Sequence, residues 1–135
     1  MNILAIDFGS KRLGFAIGNT SLKSAIPLAQ VPRKSREHDL HYIRQLIAEY
    51  DIEKIVIGYP LLLDGSRSDT TSAVEQFHNW LKREIGLPIG LIDETLTSFE
   101  AEEMLKSIHP DFKKRKKMLD SVSALIILRN YLETT

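Results

Sequence analysis

ILAIDFGSKRLGFAIG, running from Ile3 to Gly18, decides how the rest of the chain is read. An apolar run from Ile3 to Ile6 carries Asp7 to its end, Gly9 breaks the run, Lys11 and Arg12 follow, and a second apolar run leaves from Leu13. This is the pattern of a hairpin that holds an acid against a cationic turn. A strand buried along its apolar residues avoids a carboxylate at its end unless something satisfies it. A metal ion is the first candidate. An isolated Asp-x-Gly is more often a plain turn start, so the weight falls on whether other acids join Asp7.

With 135 residues the chain is expected to form one domain, residues 1–135, large enough to bury a core without staples. It has no cysteine, which excludes disulfide scaffolds, thiolate zinc sites, cysteine nucleophiles and redox motifs, and fits a cytoplasmic home. The opening MNILAIDFG lacks the basic stretch and cleavage site of a signal peptide, and no apolar run approaches a membrane span. A soluble, mature chain with no membrane partner is therefore expected. The formal net charge is zero, but its distribution is uneven. Residues 1–36 carry +5, residues 37–112 carry −9 and residues 113–135 carry +4. Basic ends that converge in space would point to nucleic acid.

Taken in order, Leu13 to Gly18 reads as a second strand, and Ala25 to Val31 as a third whose Pro27, with Pro32 just beyond, marks either an edge position or strand ends. Ser35 caps a helix in which Leu40, Ile43, Ile47 and Tyr50 recur at helical spacing. Lys54 to Gly58 has no alternation and reads as a strand covered on both faces. A loop with an Asp64-Gly65 turn leads to a helix carrying Val74, Phe77, Leu81 and Ile85, closed by Gly86 and Pro88. Ile89 to Ile92 is a short strand ending at Asp93-Glu94. Thr97 and Glu100 have capping-box spacing for a further helix, and a last helix runs from about Lys117 to Leu132. The order predicts an α/β fold in which three antiparallel strands meander and later strands enter through helical crossovers.

Three acidic positions stand where a strand ends or a helix begins: Asp7, the pair Asp93-Glu94, and Asp120. Converging carboxylates repel one another unless divalent cations neutralise them, and Mg²⁺ or Mn²⁺ suits an all-oxygen set. Two such ions about 3.5 to 4 Å apart activate water and stabilise the leaving oxygen in phosphodiester hydrolysis. Lys11 and Arg12 sit just beyond Asp7, and the run Lys113, Lys114, Arg115, Lys116, Lys117 lies immediately before Asp120, read as a flexible connection that clamps backbone phosphates. His38, His41, His78 and His109 show no metal or catalytic spacing, and Phe77 and Trp80 read as core.

The blocks IDFGSKRLGFAIG, IVIGYPLLLDGSRSDTTSAVEQF, LIDETLTSFEAEEML and KKMLDSVSALIIL together resemble the bacterial Holliday-junction-resolvase-like proteins, also known as pre-16S rRNA nucleases, across nearly the whole chain. The resemblance implies a ribonuclease-H-like fold with a five-stranded mixed sheet flanked by helices. It also implies a cytoplasmic, metal-dependent nuclease acting in 5′-end maturation of small-subunit ribosomal RNA, with structured precursor rRNA, ribosomal particles and, through relatives, branched DNA as partners. Carried over residue by residue, the first-strand acid falls on Asp7, the acidic pair on Asp93 and Glu94, and the last-helix acid on Asp120. Asp7, Glu94 and Asp120 are then the catalytic acids, and all four acids are candidate metal ligands. Two positions depart from the family: Asn19 after the second strand, and Thr95 where an Arg commonly follows the acidic pair. The Thr removes a bidentate phosphate contact or a local counter-charge.

Three alternatives compete. A junction-DNA resolvase would favour a two-fold homodimer. A non-catalytic RNA-binding ribosome-assembly or transcription factor would bind without metal. The Asp-x-Gly hairpin also opens the nucleotide site of the actin and sugar-kinase superfamily, but that site needs two such domains and this chain supplies one.

Overall fold

The computed structural model describes residues 1–60, 66–93 and 112–134, with side chains of the last stretch described from residue 122 onward. The described elements are β1 (Asn2–Phe8), β2 (Arg12–Asn19), β3 (Ser24–Pro27), β4 (Val31–Pro32), α1 (Arg36–Glu49), β5 (Lys54–Tyr59), α2 (Asp69–Glu84), β6 (Ile89–Asp93) and α3 (Phe112–Glu133). Their order matches the α/β reading. One mixed sheet runs β3-β2-β1-β5-β6, with β4 also paired to β2. β2 is antiparallel to β1, β3 and β4, whereas β1, β5 and β6 are parallel.

The third expected strand is divided. Pro27 ends β3, the Leu28 N–H still reaches the Phe15 carbonyl at 2.8 Å, and the chain re-pairs with β2 at Val31–Pro32. Prolines cannot donate to a ladder, so the segment pairs only piecewise. A sixth strand of two residues thus joins the five expected.

Alternation along β1 and β5 builds two apolar layers. Leu4, Ile6, Ile55 and Ile57 pack with Ile43 and Leu46 of α1 and Val74, Phe77 and Leu81 of α2. Ile3, Ala5, Ala16 and Val56 pack instead with Ala124, Ile127, Leu128 and Leu132 of α3. Small residues on that second face admit α3 closely. A Cβ on Gly18 would fall 2.3 Å from the Ser24 carbonyl oxygen and 2.9 Å from Leu128 Cδ2.

The helix starts explain how the rim is assembled. Ser35 Oγ accepts the His38 N–H at 3.1 Å, and Ser68 forms a reciprocal capping box with Thr71. Both α1 and α2 therefore begin on the side where β1 and β5 end. α3 begins at Phe112, earlier than expected, so the run Lys113–Lys117 is helical backbone and not a flexible connection. Lys and Arg are good helix formers, and the expectation had weighed only their charge. The Asp64-Gly65 turn and the helix expected from Thr97, with its cap Glu100, lie outside the described residues.

Candidate active site

β1 places Asp7 one residue before its end, opposite Gly14 of β2 and partly buried. By strand alternation Asp7 shares the face of Ile3 and Ala5, which is the face that α3 covers. Ile6 is in register with Ile57, and Tyr59 with Asp93, so Asp7 and Asp93 sit at the same carboxyl rim. Their strands flank β5, two strand spacings or about 9.5 Å apart. Asp93 is exposed and shares the parity of Leu91, which puts it on the opposite face from Ile92 and Asp7. Glu94, Thr95 and His109 lie outside the described residues, as does the side chain of Asp120. Among the described residues no group of three or more acidic, histidine or cysteine side chains could hold a metal ion.

α3 carries position 120 back to this rim. Leu128 packs at Gly18 and Tyr131 lies under Lys54 Nζ, 4.8 Å from the ring centroid; Gly18 and Lys54 are both register partners of Ile3. Ala124 and Ile127 share the apolar layer of Ala5 and Val56, so the helix runs antiparallel to β1. Eight helical residues span about 12 Å, and the four strand steps from Ile3 to Asp7 span about 13 Å. The backbone at position 120 therefore stands level with Asp7.

The turn after Asp7 is held from two sides. Gly9 N–H donates to the Arg12 carbonyl at 2.9 Å, and a Cβ on Gly9 would stand 2.7 Å from that oxygen, so only glycine closes this turn without displacement. Lys11 and Arg12 are exposed on it. From below, Arg33 Nη1 donates to the Gly9 carbonyl at 3.2 Å and the Ser10 carbonyl at 3.5 Å, and its guanidinium lies 4.5 Å from the Phe8 ring centroid. Arg33 Nε in turn meets Oδ2 of the buried Asp39 at 3.4 Å. Sequence reasoning missed Arg33, because it lies in an aperiodic segment after Pro32 and acts on residues more than twenty positions away.

A second unforeseen cation is Arg67, just before the Ser68 cap. Its guanidinium pairs with Glu75, and both reach the Tyr59 hydroxyl at the end of β5, at 3.4 Å from Arg67 Nη1 and 3.3 Å from Glu75 Oε1. The hydrogen bond that Arg67 donates to Glu75 raises the guanidinium pKa above its ordinary value. Thr71 Oγ1 donates to the Pro60 carbonyl and ties α2 to the same rim. The departure at Asn19 lies elsewhere. At the far end of β1 its side chain donates to Asn2 Oδ1 at 2.8 Å and accepts the Ser21 and Leu22 N–H groups, so it caps a turn and does not touch the acidic rim. Of the histidines described, His78 meets Asn79 and the Ile89 carbonyl, and His38 stands beside Asp39. Among the described residues no helix is long and apolar enough to cross a membrane.

Comparison with known proteins gives this arrangement its context. The chain covers 99% of itself and 94% of Thermus thermophilus RuvC in complex with a Holliday junction substrate at TM-score 0.58 and 13% identity. It covers 99% of itself and 98% of Fowlpox virus resolvase with its junction DNA at TM-score 0.57 and 12% identity. These likenesses concern the fold alone. In sequence, it is 41% identical over 133 residues to a "Putative pre-16S rRNA nuclease" of Syntrophus aciditrophicus, covering 98% of this chain and 89% of the relative. A protein of the same name from Koribacter versatilis is 38% identical over 131 residues, covering 97% and 86%. The family described as "RuvX: Holliday junction resolvase" matches residues 1–134. The chain therefore belongs to the RuvX family of Holliday-junction-resolvase-like nucleases.

Proposed function

We propose that this protein is a metal-dependent endonuclease that hydrolyses phosphodiester bonds at the 5′ end of precursor 16S rRNA, in the cytoplasm, during ribosome biogenesis. The observation that carries the reading is the levelling of Asp7, on the α3 face of the sheet, with position 120 of α3. Position 120 stands four residues before Ala124 and eight before Leu128, the spacing of one helix face. Asp93 lies on the opposite face from Ile92 and Asp7, so Glu94 is taken as the third acid on the family resemblance. Asp7, Glu94 and Asp120 are then the catalytic acids, with Asp93 at the margin of the metal set. An all-carboxylate donor set fits Mg²⁺ or Mn²⁺ and no softer ion. When bound, a pair of these ions supplies an activated water and a partner for the leaving oxygen. The chain's own residues hold Asp7 on a turn locked by Gly9 and Arg33, and offer Lys11 and Arg12 to the phosphate backbone. Lys113 to Lys117 add phosphate contacts from α3, and Arg67 offers a guanidinium at the rim where Thr95 cannot.

The test is cleavage of a precursor 16S leader RNA with Mn²⁺ or Mg²⁺ present or chelated. Wild type cuts only with metal, and Asp7→Asn abolishes cutting while keeping its thermal melt. Equal residual cleavage by both proteins rejects the site. The likeness to junction resolvases supports a second reading, junction DNA as substrate for a homodimer; a four-way junction cut faster than the leader RNA at equal concentration would favour it.

A further inference from the structure

The cations of the turn after Asp7 do not stand alone. Between Phe8 and Arg36 the chain carries Lys11, Arg12, Lys23, Arg33, Lys34 and Arg36, and no Asp or Glu. All but Lys23 come together in space. β4 lies beside the start of β2, with Pro32 opposite Arg12, and the Arg33 N–H donates to the Lys11 carbonyl at 2.8 Å. The Arg33 side chain reaches the Gly9 and Ser10 carbonyls and Asp39, so it ties the turn to the start of α1 as one piece. Lys34 and Arg36 stand on that start, both exposed like Lys11 and Arg12, and the Arg36 guanidinium is steadied 5.9 Å from the Trp80 ring centroid. Of the two acids in the first turn of α1, Asp39 is buried against Arg33 and Glu37 is exposed. Among the described residues no carboxylate lies within ion-pair distance of Lys11, Arg12, Lys34 or Arg36. Like charges gathered this way repel one another and concentrate anions at the surface.

We propose that Lys34 and Arg36 extend the turn cations into a phosphate ledge that holds the substrate strand on one side of the scissile bond. The inference rests on the nuclease reading, which brings a nucleic-acid strand to Asp7, and adds the path that strand takes. Phe8 and the Arg33 guanidinium over it lie on the α1 and α2 face of the sheet, whereas Asp7 shares the face that α3 covers. A strand leaving Asp7 crosses the turn at Lys11 and Arg12 and comes down on the opposite face at Lys34 and Arg36. The backbone of Lys113–Lys117 belongs to α3, on the Asp7 face, so the two basic groups bracket the phosphate to be cut. Three residues lead from Arg33, bonded to Lys11, to Arg36, a reach of about 10 Å. A stacked strand advances about 3.4 Å per nucleotide, so the ledge covers about three phosphates beyond the turn. Such contacts position a strand without reading its bases. The grip is therefore independent of sequence and weakened by salt.

The test sets Lys34→Gln/Arg36→Gln against a control pair, Lys23→Gln/Arg129→Gln, which removes the same number of charges from exposed positions at the other end of the sheet, beside β3 and Leu128. Binding of labelled precursor leader RNA is followed across a potassium chloride series in an Asp7→Asn background without metal, so that cleavage plays no part. The log–log slope should flatten by about 1.4 in the ledge variant, from two phosphates at about 0.7 each, and stay at the parent value in the control. With Asp7 restored and Mn²⁺ present, trimming one flank of the cut site to a single nucleotide should raise KM for the parent and leave that of the ledge variant unchanged. Trimming the other flank should act on both alike. A ledge variant with the parent's slope, or equal flattening by the two pairs, overturns the ledge and leaves the nuclease reading standing. The expected change in slope with no cleavage by the parent in Mn²⁺ keeps the ledge as a nucleic-acid surface and removes the nuclease reading. A parent that binds no RNA removes both.

Discussion

Gly18→Ala tests how α3 is seated, and through it how position 120 reaches Asp7. The added methyl would stand 2.3 Å from the Ser24 carbonyl oxygen and 2.9 Å from Leu128 Cδ2. Leu128 can rotate away, but the Ser24 oxygen belongs to the β2–β3 pairing, where Gly18 faces Ala25 and Asn19 faces Ser24. Overpacking against fixed backbone costs about 3 kcal/mol, offset by about 0.7 kcal/mol from the stiffer unfolded chain. The net loss is roughly 2 kcal/mol. With a urea slope of about 2 kcal/mol per molar, the unfolding midpoint should fall by about 1 M at unchanged slope. Metal-dependent cleavage should fall by more than the folded fraction explains, because Leu128, which seats α3 against β2, has to give up its place. A midpoint equal to or above that of wild type would refute the packing, and full activity in a destabilised protein would refute the link to the site.

Further outcomes follow from the same geometry. Arg33→Ala should cost about 3 to 5 kcal/mol, because it strands the buried Asp39 carboxylate, whereas the Arg33→Ala/Asp39→Ala pair should cost less than the sum; urea midpoints of the four proteins in the cycle decide, and additivity would break the coupling. Replacing Lys113, Lys114, Arg115, Lys116 and Lys117 by Gln should flatten the dependence of RNA affinity on salt by about 0.7 in log–log slope for each phosphate no longer neutralised; an unchanged slope removes the run from the interface. Burial first, then Tyr50 and Glu49, raises the Tyr42 pKa above the tyrosine value of 10.0. The unfolded chain ionises first, so this contribution to stability is present below that value and is lost as pH rises through the folded pKa. Tyr42→Phe should accordingly flatten the alkaline limb of melting temperature against pH, and an identical limb in both proteins would reject it.

The main path of the fold was legible because its signals are local. The unbroken apolar runs at Ile3–Ile6 and Ile55–Ile57 could only be strands covered on two sides, and Ser35 with Ile43 fixed α1 to within a residue. The Ser68 cap was missed because its partner is Thr71 and not the acidic or amide residue of the usual capping box. The start of α3 was misjudged because five cations in a row read equally as loop or helix, and only packing of the later turns against Ala5 and Ala16 selects the helix. At the site, the acids could be nominated from their positions at element ends. Which of them share a face depends on register, and the pairing of Tyr59 with Asp93 is a long-range fact that no local pattern carries. Arg33, Asp39 and Arg67 escaped for the same reason, since each works through contacts between separate elements.

The cationic opening of α3 has a thermodynamic meaning of its own. Positive charges in the first turns of a helix oppose its dipole, each by about 0.3 to 1 kcal/mol at low ionic strength. The first turns, Phe112 onward, are therefore poised to gain stability from any polyanion that lies along them. Whatever binds the folded turns but not the frayed ones stabilises them by mass action. Nucleic acid bound along this helix, as proposed, would then act as a structural ligand as well as a target. The stability of the helix leading to position 120 would then rise with the amount of substrate present.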